Sequence, residues 1–274
     1  MNNRKYSGGS MLCLIIIAVL AALCSGNHLH AQALKVMTYN IHHANPPSHE
    51  KDSLIDLAAI ARVIDSVKPD LVALQELDVN NARSGVKVNE AQVLAEKTNM
   101  HYYFAQAIPY RGGGYGVAVL SRWPILDTIH VVVPMAPGVQ GETRALAVVR
   151  VKTTAGKTLL FASTHLDQHR AAESRLLQAH TIAEAVKSFK DPLILCGDMN
   201  DYPESETLKV LDSVLTRSCQ GSSCPLTIPV NPPRRTIDYI LFTPAARFEA
   251  RSVKAVAETY ASDHLPVVAE LQMK

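Results

Sequence analysis

Six short polar stretches of this 274-residue chain carry side chains able to do hydrolytic chemistry. They are Asn40, Gln75-Glu76, Thr164-His165-Leu166-Asp167, Gly197-Asp198-Met199-Asn200, Asp238 and Ser262-Asp263-His264. Each abuts an apolar run of strand type. In an antiparallel or mixed sheet the start of one strand lies beside the end of its neighbour, so all six can share one rim. Such a rim would gather several carboxylates, two Asn and two His. Crowded carboxylates raise one another's pKa and need a cation to stay ionised. An oxygen-rich donor set suits a hard ion, Mg²⁺ or Mn²⁺, rather than zinc. An imidazole beside a carboxylate adds acid–base capacity. Taken singly, each residue has an ordinary structural use: a strand-end Glu is a solvated cap, and Asp-x-Asn is a turn. The ordered set, every member next to a strand, is what points to chemistry.

The elements that must position these residues read as one domain over residues 34–274, without repeat or linker. Strands are expected at Lys35 to Asn40, 71–74, Gly116 to Leu120, 145–151, 158–164, 192–196, 237–242 and 266–271. Asp52 or Ser53 can cap a helix that carries Leu57, Ile60, Ala61, Ile64 and Val67 on one face and stops at Lys68-Pro69. A second helix is expected over 90–98. A third presents Ala172, Leu176, Ala179, Ala183 and Val186. Gly112-Gly113-Gly114 reads as a turn, and Thr207 to Pro233 as loop-rich. Many strands with few helices predict sheet packed on sheet, with helices outside.

Composition bounds the function. The chain is 47% hydrophobic and 19% charged, which excludes disordered and fibrous classes. It has 27 Lys+Arg against 25 Asp+Glu, and Arg4 and Lys5 are the only charges in the first 33 residues, so 25 of each sign remain beyond them. A neutral chain lacks the electrostatic footprint of a dedicated nucleic-acid binder. Arg4 and Lys5, the apolar run Met11 to Leu23 and Ala31-Gln32-Ala33 follow the three-part pattern of a secretory signal peptide. The run is shorter than the roughly 20 residues of a membrane span. Residues 1–33 are therefore expected to direct export to the periplasm or beyond, leaving no stable membrane span, with an uncleaved anchor as the competing reading. Cys219 and Cys224 flank Gln-Gly-Ser-Ser and are either a disulfide or two loop thiols. Cys196, within an apolar run, reads as a buried thiol.

Thr38-Tyr39-Asn40-Ile41, Leu74-Gln75-Glu76, Tyr115-Gly116-Val117-Ala118-Val119-Leu120-Ser121-Arg122, Ser163-Thr164-His165-Leu166, Gly197-Asp198-Met199-Asn200, Ile237-Asp238-Tyr239-Ile240 and Ser262-Asp263-His264 occur in this order. The set resembles the endonuclease/exonuclease/phosphatase superfamily over essentially all of residues 34–274. The resemblance implies a deoxyribonuclease-I-like fold: a four-layer α/β sandwich of two mixed β-sheets packed face to face and flanked by helices. It also implies Mg²⁺- or Mn²⁺-dependent cleavage of phosphoesters. On this resemblance Glu76 would be the main metal ligand, with Asn40 beside it and Asp263 helping to hold the site. His264 would be the catalytic imidazole, oriented by Asp238. Asp198 would position or deprotonate the attacking water, Asn200 would hold the phosphate, and His165 would donate a hydrogen bond or proton. Arg144 and Arg111 are candidate phosphate contacts, set against an ion pair with Glu142 for the first and a solvated turn for the second. Some nuclease members have an Asp where this chain has His42; His42 and His43 read first as surface residues. The expected substrate is a small phospho-compound or lipid head group. A secreted nuclease acting on DNA or RNA is the alternative, and a non-enzymatic binding protein ranks last because the catalytic set is intact.

Overall fold

Among the residues that the computed structural model describes, Met1, 33–244 and 248–273, twelve strands form two sheets. The expected leader lies outside the described residues apart from Met1 and Ala33. One sheet contains β1 (Ala33–Asn40), β2 (Leu71–Val79), β3 (His101–Tyr110), β4 (Gly113–Ser121), β11 (Phe248–Ala255) and β12 (Val267–Met273), in the order β11-β12-β1-β2-β4-β3. The other contains β5 (Ile125–Val133), β6 (Arg144–Lys152), β7 (Thr158–His165), β8 (Leu193–Asp198), β9 (Thr216–Arg217) and β10 (Asp238–Phe242), in the order β5-β6-β7-β8-β10-β9. Each sheet is mixed, with one parallel pair, β1 with β2 and β7 with β8. Parallel neighbours need a crossover. Helix α1 (Leu57–Val67) provides the first and α3 (Glu173–Ser188) the second. This is the four-layer sandwich expected of the superfamily.

Period-two alternation divides the apolar residues between three cores. Leu34, Val36, Leu71, Ala73, Phe161 and Ile194 pack between the sheets. Met37, Tyr39, Val72 and Leu74 face the other way and pack with Ile60 and Ile64 of α1 and Leu94 of α2 (Glu90–Thr98). Leu160, Ala162, Leu193 and Leu195 pack with Ile182 of α3 and Leu208 of α4 (Glu206–Asp212). Cys196 is buried in the central core. Cys219 and Cys224 are joined as a disulfide. Among the described residues no helix is long and apolar enough to cross a membrane.

Several boundaries depart from the sequence reading. The cap of α1 is Asp56, whose carboxylate accepts from Ala59 N at 2.9 Å; neither Asp52 nor Ser53 serves. Residues 47–52 form a separate 3-10 turn, ended where Ser53 adopts a left-handed φ of 51°. Gly113 and Gly114 belong to β4 rather than to a turn, because a Cβ on Gly113 would collide with the Val79 carbonyl of the neighbouring β2. The buried face of α3 contains the expected Ala179, Ala183 and Val186 and adds Arg175, Gln178 and Ile182, with Leu176 half-buried and Ala172 preceding the helix. Two polar side chains take core positions because Gln178 accepts from Asp167 N and Arg175 pairs with Asp201 at 3.2 Å. The stretch read as loop-rich contains α4, capped by Ser205, which accepts from Leu208 N. Strands β3, β5 and β11 lie at or near sheet edges and went unread.

Buried Glu90, at the start of α2, gives the fold a measurable pH dependence. Its Oε2 accepts from Asp78 N at 2.8 Å while Oε1 has no partner. Burial raises its pKa from 4.5 to about 8, against the opposing bond from Asp78 N–H and with the Asp78 charge adding. The unfolded chain releases this proton near the ordinary value, whereas the folded chain keeps it to about pH 8. Stability from this group therefore falls as pH rises from about 4.5 to 8. Glu90→Gln is expected to flatten that slope and raise stability at pH 8. Urea midpoints at pH 5 and pH 8 measure it, and a variant with the parent's slope would contradict the assignment.

Candidate active site

The faces that meet between the sheets turn polar toward one rim. Along β1 the inward series runs Leu34, Val36, Thr38, Asn40; along β8 it runs Ile194, Cys196, Asp198; along β7 it runs Phe161, Ser163, His165. Antiparallel β10 begins at that rim with Asp238, paired in register with Asp198. Asn40, His165, Asp198, Asp238 and His264 are each no more than 4% exposed. A Cβ on Gly197 would collide with the Thr164 carbonyl, so glycine there permits the close approach of β7 and β8.

These side chains form one connected set. His264 Nδ1 donates to Asp238 Oδ2 at 2.9 Å, and its Nε2 lies 3.7 Å from Asp198 Oδ2. Burial lowers the His264 pKa, but the charges of Asp238, Asp198 and Asp263 outweigh it and hold the imidazole protonated. Asp198 accepts from Asn200 N at 2.8 Å and from Asn40 Nδ2 at 3.1 Å. Burial, reinforced by the Asp238 charge, raises its pKa above the usual carboxylate range, although His264 and the bonds from Asn200 and Asn40 oppose this. Asn40 Nδ2 also donates to Glu76 Oε1 at 3.0 Å, and Asn40 Oδ1 accepts from His42 N at 3.1 Å. Both ends of that amide are engaged, and Asn40 orients the Glu76 carboxylate.

Asn200, the expected phosphate contact, sits at a left-handed φ of 50° beside His165. Its Nδ2 donates to Leu166 O at 3.0 Å and lies 2.9 Å from His165 Nε2. The Leu166 carbonyl can only accept, which identifies the nitrogen and makes His165 Nε2 an acceptor. Burial, then the charges of Arg144 and His264, hold the His165 pKa well below its ordinary value. His165 is therefore neutral, and Asn200 orients it.

Glu76 reaches the surface through a β-bulge. The pairing of β2 with β4 slips between Gln75 and Leu77, and Glu76 takes φ 61°. Its side chain turns into a cavity of about 330 Å³ also lined by Asp263, His165, Arg144, His42 and His43. Arg144 is 4% exposed; its Nη1 lies 3.3 Å from Glu142 Oε2, while its Nε is buried without a partner. Arg144 is therefore ion-paired with Glu142 and also lines the cavity. Arg111 is exposed, stacks over Tyr110 at 5.4 Å and is not among the lining residues. The second guanidinium in the wall is Arg83, unread in the sequence. It forks onto Asp78 at 2.7 and 2.8 Å and lies over Tyr110. His42 and His43 are half-buried and line the cavity. His43 Nδ1 is buried without a partner, 4.0 Å from Glu76 Oε2, and burial, with the charges of Arg83 and His42, pushes its pKa down to about 3. Glu76 and Asp263 carboxylates and a neutral, unpartnered imidazole on one cavity fit a divalent cation.

Residues 37–264 match the Endonuclease/Exonuclease/phosphatase family. The chain is 28% identical over 260 residues to YbhP of Escherichia coli strain K12, covering 88% of this chain and 97% of that one. In fold it is similar to an endonuclease/exonuclease/phosphatase family protein of Bacteroides thetaiotaomicron, with TM-score 0.73, 20% identity and coverage of 89% and 98%. It is similar also to the mannosyl-6-phosphatase of Bacteroides thetaiotaomicron VPI-5482, with TM-score 0.71, 20% identity and coverage of 87% and 99%. The catalytic domain of human nocturnin follows at TM-score 0.67, 20% identity and coverage of 88% and 94%. The chain belongs to the endonuclease/exonuclease/phosphatase family, whose members are hydrolases of phosphoesters.

Proposed function

We propose that this chain is an exported, metal-dependent hydrolase of a small phosphoester, a phospho-compound or a lipid head group. One observation carries the reading: an unbroken run of contacts from Asp238 through His264, Asp198 and Asn40 to Glu76, beside a cavity of about 330 Å³ walled by Arg144. The free Arg144 Nε suits a phosphate oxygen, which charge-assisted donors favour. Asp198, with its raised pKa, takes the proton of the attacking water as oxygen bonds to phosphorus. The bond from phosphorus to the leaving oxygen breaks, and that oxygen takes its proton from the His264 imidazolium. Asp238 fixes the imidazole tautomer and supports its charge. When bound at Glu76 and Asp263, a divalent cation supplies Lewis-acid charge for the phosphoryl oxygens.

The leaving group has space of its own. A cavity of about 720 Å³ shares Gln168 with the smaller one and is lined by Asn200, Tyr202, Arg234 and Arg235. That volume falls in the range of roughly 300–1,000 Å³ of small-molecule sites. The balance of 25 acidic and 25 basic residues beyond the first 33 argues for a small substrate over nucleic acid. Export rests on the basic start and apolar run of residues 1–33.

His264→Ala is expected to lower turnover about 10²–10⁴-fold with an unchanged circular dichroism spectrum. Near-parental turnover would overturn the assignment of the imidazole. Glu76→Gln is expected to raise the metal concentration needed for half-maximal activity, and an unchanged requirement would remove Glu76 as a ligand. The substrate class is tested with Mg²⁺ or Mn²⁺, chelator controls and two sets of substrates. Turnover of glycerophosphodiesters, inositol phosphates, sphingomyelin or bis-p-nitrophenyl phosphate, without plasmid nicking, supports the proposal; efficient nicking of plasmid DNA replaces it with a nuclease.

A further inference from the structure

The loop after β1 brings two imidazoles to the carboxylate at the cavity. One ligand atom each of His42, His43 and Glu76 lies within 4.8 Å of the others. His42 Nδ1 is 3.0 Å from the Asn45 carbonyl, which can only accept, so Nδ1 carries the proton and Nε2 keeps its lone pair. A ring nitrogen tied in this way to a backbone carbonyl is the usual support of a metal-bound histidine. His43 Nδ1 is buried, has no hydrogen-bond partner and lies 4.0 Å from Glu76 Oε2. A buried nitrogen without a partner is costly unless something else satisfies it.

The backbone is bent to make this meeting. His42, His43 and Ala44 have φ of 47°, 42° and 54°, and Glu76 has φ 61°. Left-handed non-glycine residues are strained and persist where the surroundings impose them. Ala44 N donates to Ile41 O at 2.8 Å and Asn45 N to His42 O at 2.9 Å within this turn, and Asn45 Nδ2 ties its end to Leu54 O at 2.7 Å. Consecutive histidines in an extended strand would point to opposite faces; the left-handed turn lets both approach Glu76.

We infer that His42, His43 and Glu76 form a two-histidine, one-carboxylate metal site that selects a borderline transition ion such as Zn²⁺ or Co²⁺ over Mg²⁺. The inference rests on the reading of Glu76 as part of the phosphoester site, and it changes the expectation of a purely oxygen-ligated hard ion. Two nitrogen donors favour ions high in the order Mn²⁺ < Co²⁺ < Zn²⁺, whereas Mg²⁺ prefers oxygen and retains its waters. Asp263 faces the same cavity as a further oxygen donor.

The test is metal binding by the full chain after chelator treatment, followed by the visible absorption of Co²⁺. Expected are one Co²⁺ per chain, displaced by stoichiometric Zn²⁺ and by Mg²⁺ only at about hundredfold excess or more. His42→Asn and His43→Asn are the variants of choice, because Asn tolerates the left-handed backbone while removing the imidazole. Each is expected to weaken Co²⁺ at least tenfold and to change its absorption band. Unchanged affinity and band in both variants, or Mg²⁺ displacing Co²⁺ at equal concentration, would overturn the site. A measurement on the parent chain guards against misfolded variants: Zn²⁺ should shift the imidazole nitrogen resonances of two histidines close in sequence, and no shift counts against the proposal. Histidine-dependent metal binding without phosphoester turnover would refute the proposed function and leave this site standing. Turnover with Mg²⁺ and histidine-independent Co²⁺ binding would do the reverse.

Discussion

Asp198 is a carboxylate buried in the seam between two β-sheets, and its need for partners sets much of the geometry around it. Burying an ionised group costs several kcal/mol unless hydrogen bonds and opposite charge offset it. Asp198 is 1% exposed, accepts from Asn200 N and Asn40 Nδ2, and has an imidazole 3.6–3.7 Å away on either side. Asn40 belongs to one sheet and Asp198 to the other, so satisfying the charge also sets how the sheets face each other. Two further bonds repeat the constraint: Gln75 Nε2 donates to Ser163 Oγ at 3.0 Å, and Ser163 Oγ donates to Leu74 O at 2.9 Å. Sliding one sheet by a residue would break the bonds that Asp198, Gln75 and Ser163 make across the seam.

The same alternation that builds the central core also builds the site. Val36 and Asn40 lie on one face of β1, as Ile194 and Asp198 do on β8. The inward series is apolar in the middle of the sandwich and polar at the rim, so packing the first part aims the second. Asn40, His165, Asp198 and Asp238 stand at strand ends held by their ladders, with Asn200, Asp263 and His264 in the adjoining loops. Glu76 needed a different device. In unbroken register Gln75 and Glu76 would face opposite ways, and the bulge frees Glu76 from that phase while Gln75 keeps its place in the seam.

This explains what was legible in the sequence. Strand-end carboxylates and imidazoles stand out because the apolar runs beside them mark both the strand and its end. Helix 90–98 was legible from its period. The edge strands β3 and β5 were not, since strands with exposed residues lack a continuous apolar run. The face of α3 was legible at Ala179, Ala183 and Val186, whereas Arg175 and Gln178, buried by partners elsewhere in the chain, break the apolar period and were not. The cap of α1 depended on where Ser53 turns left-handed, which no propensity signals strongly. The contacts of Asn200 with His165 and of His43 with Glu76 span 35 and 33 residues of chain, and no local pattern encodes these.

Backbone conformation adds a second layer to the same logic. Glu76, Asn200, His42 and His43 all adopt left-handed φ without being glycine, and all four serve the polar rim. Such residues oppose folding, so the rim has to be carried by the cores around it. Three apolar clusters supply that support, and the strained residues are joined to them within a residue or two, through Ile41 and Leu77 on one side and Met199 on the other. A mutation that loosens one of those anchors should therefore be felt in the geometry of the rim before it is felt as loss of the fold. Glu76 shows why: Leu77 next to it packs in the core, whereas the Glu76 carboxylate is held by Asn40 and placed by the bulge.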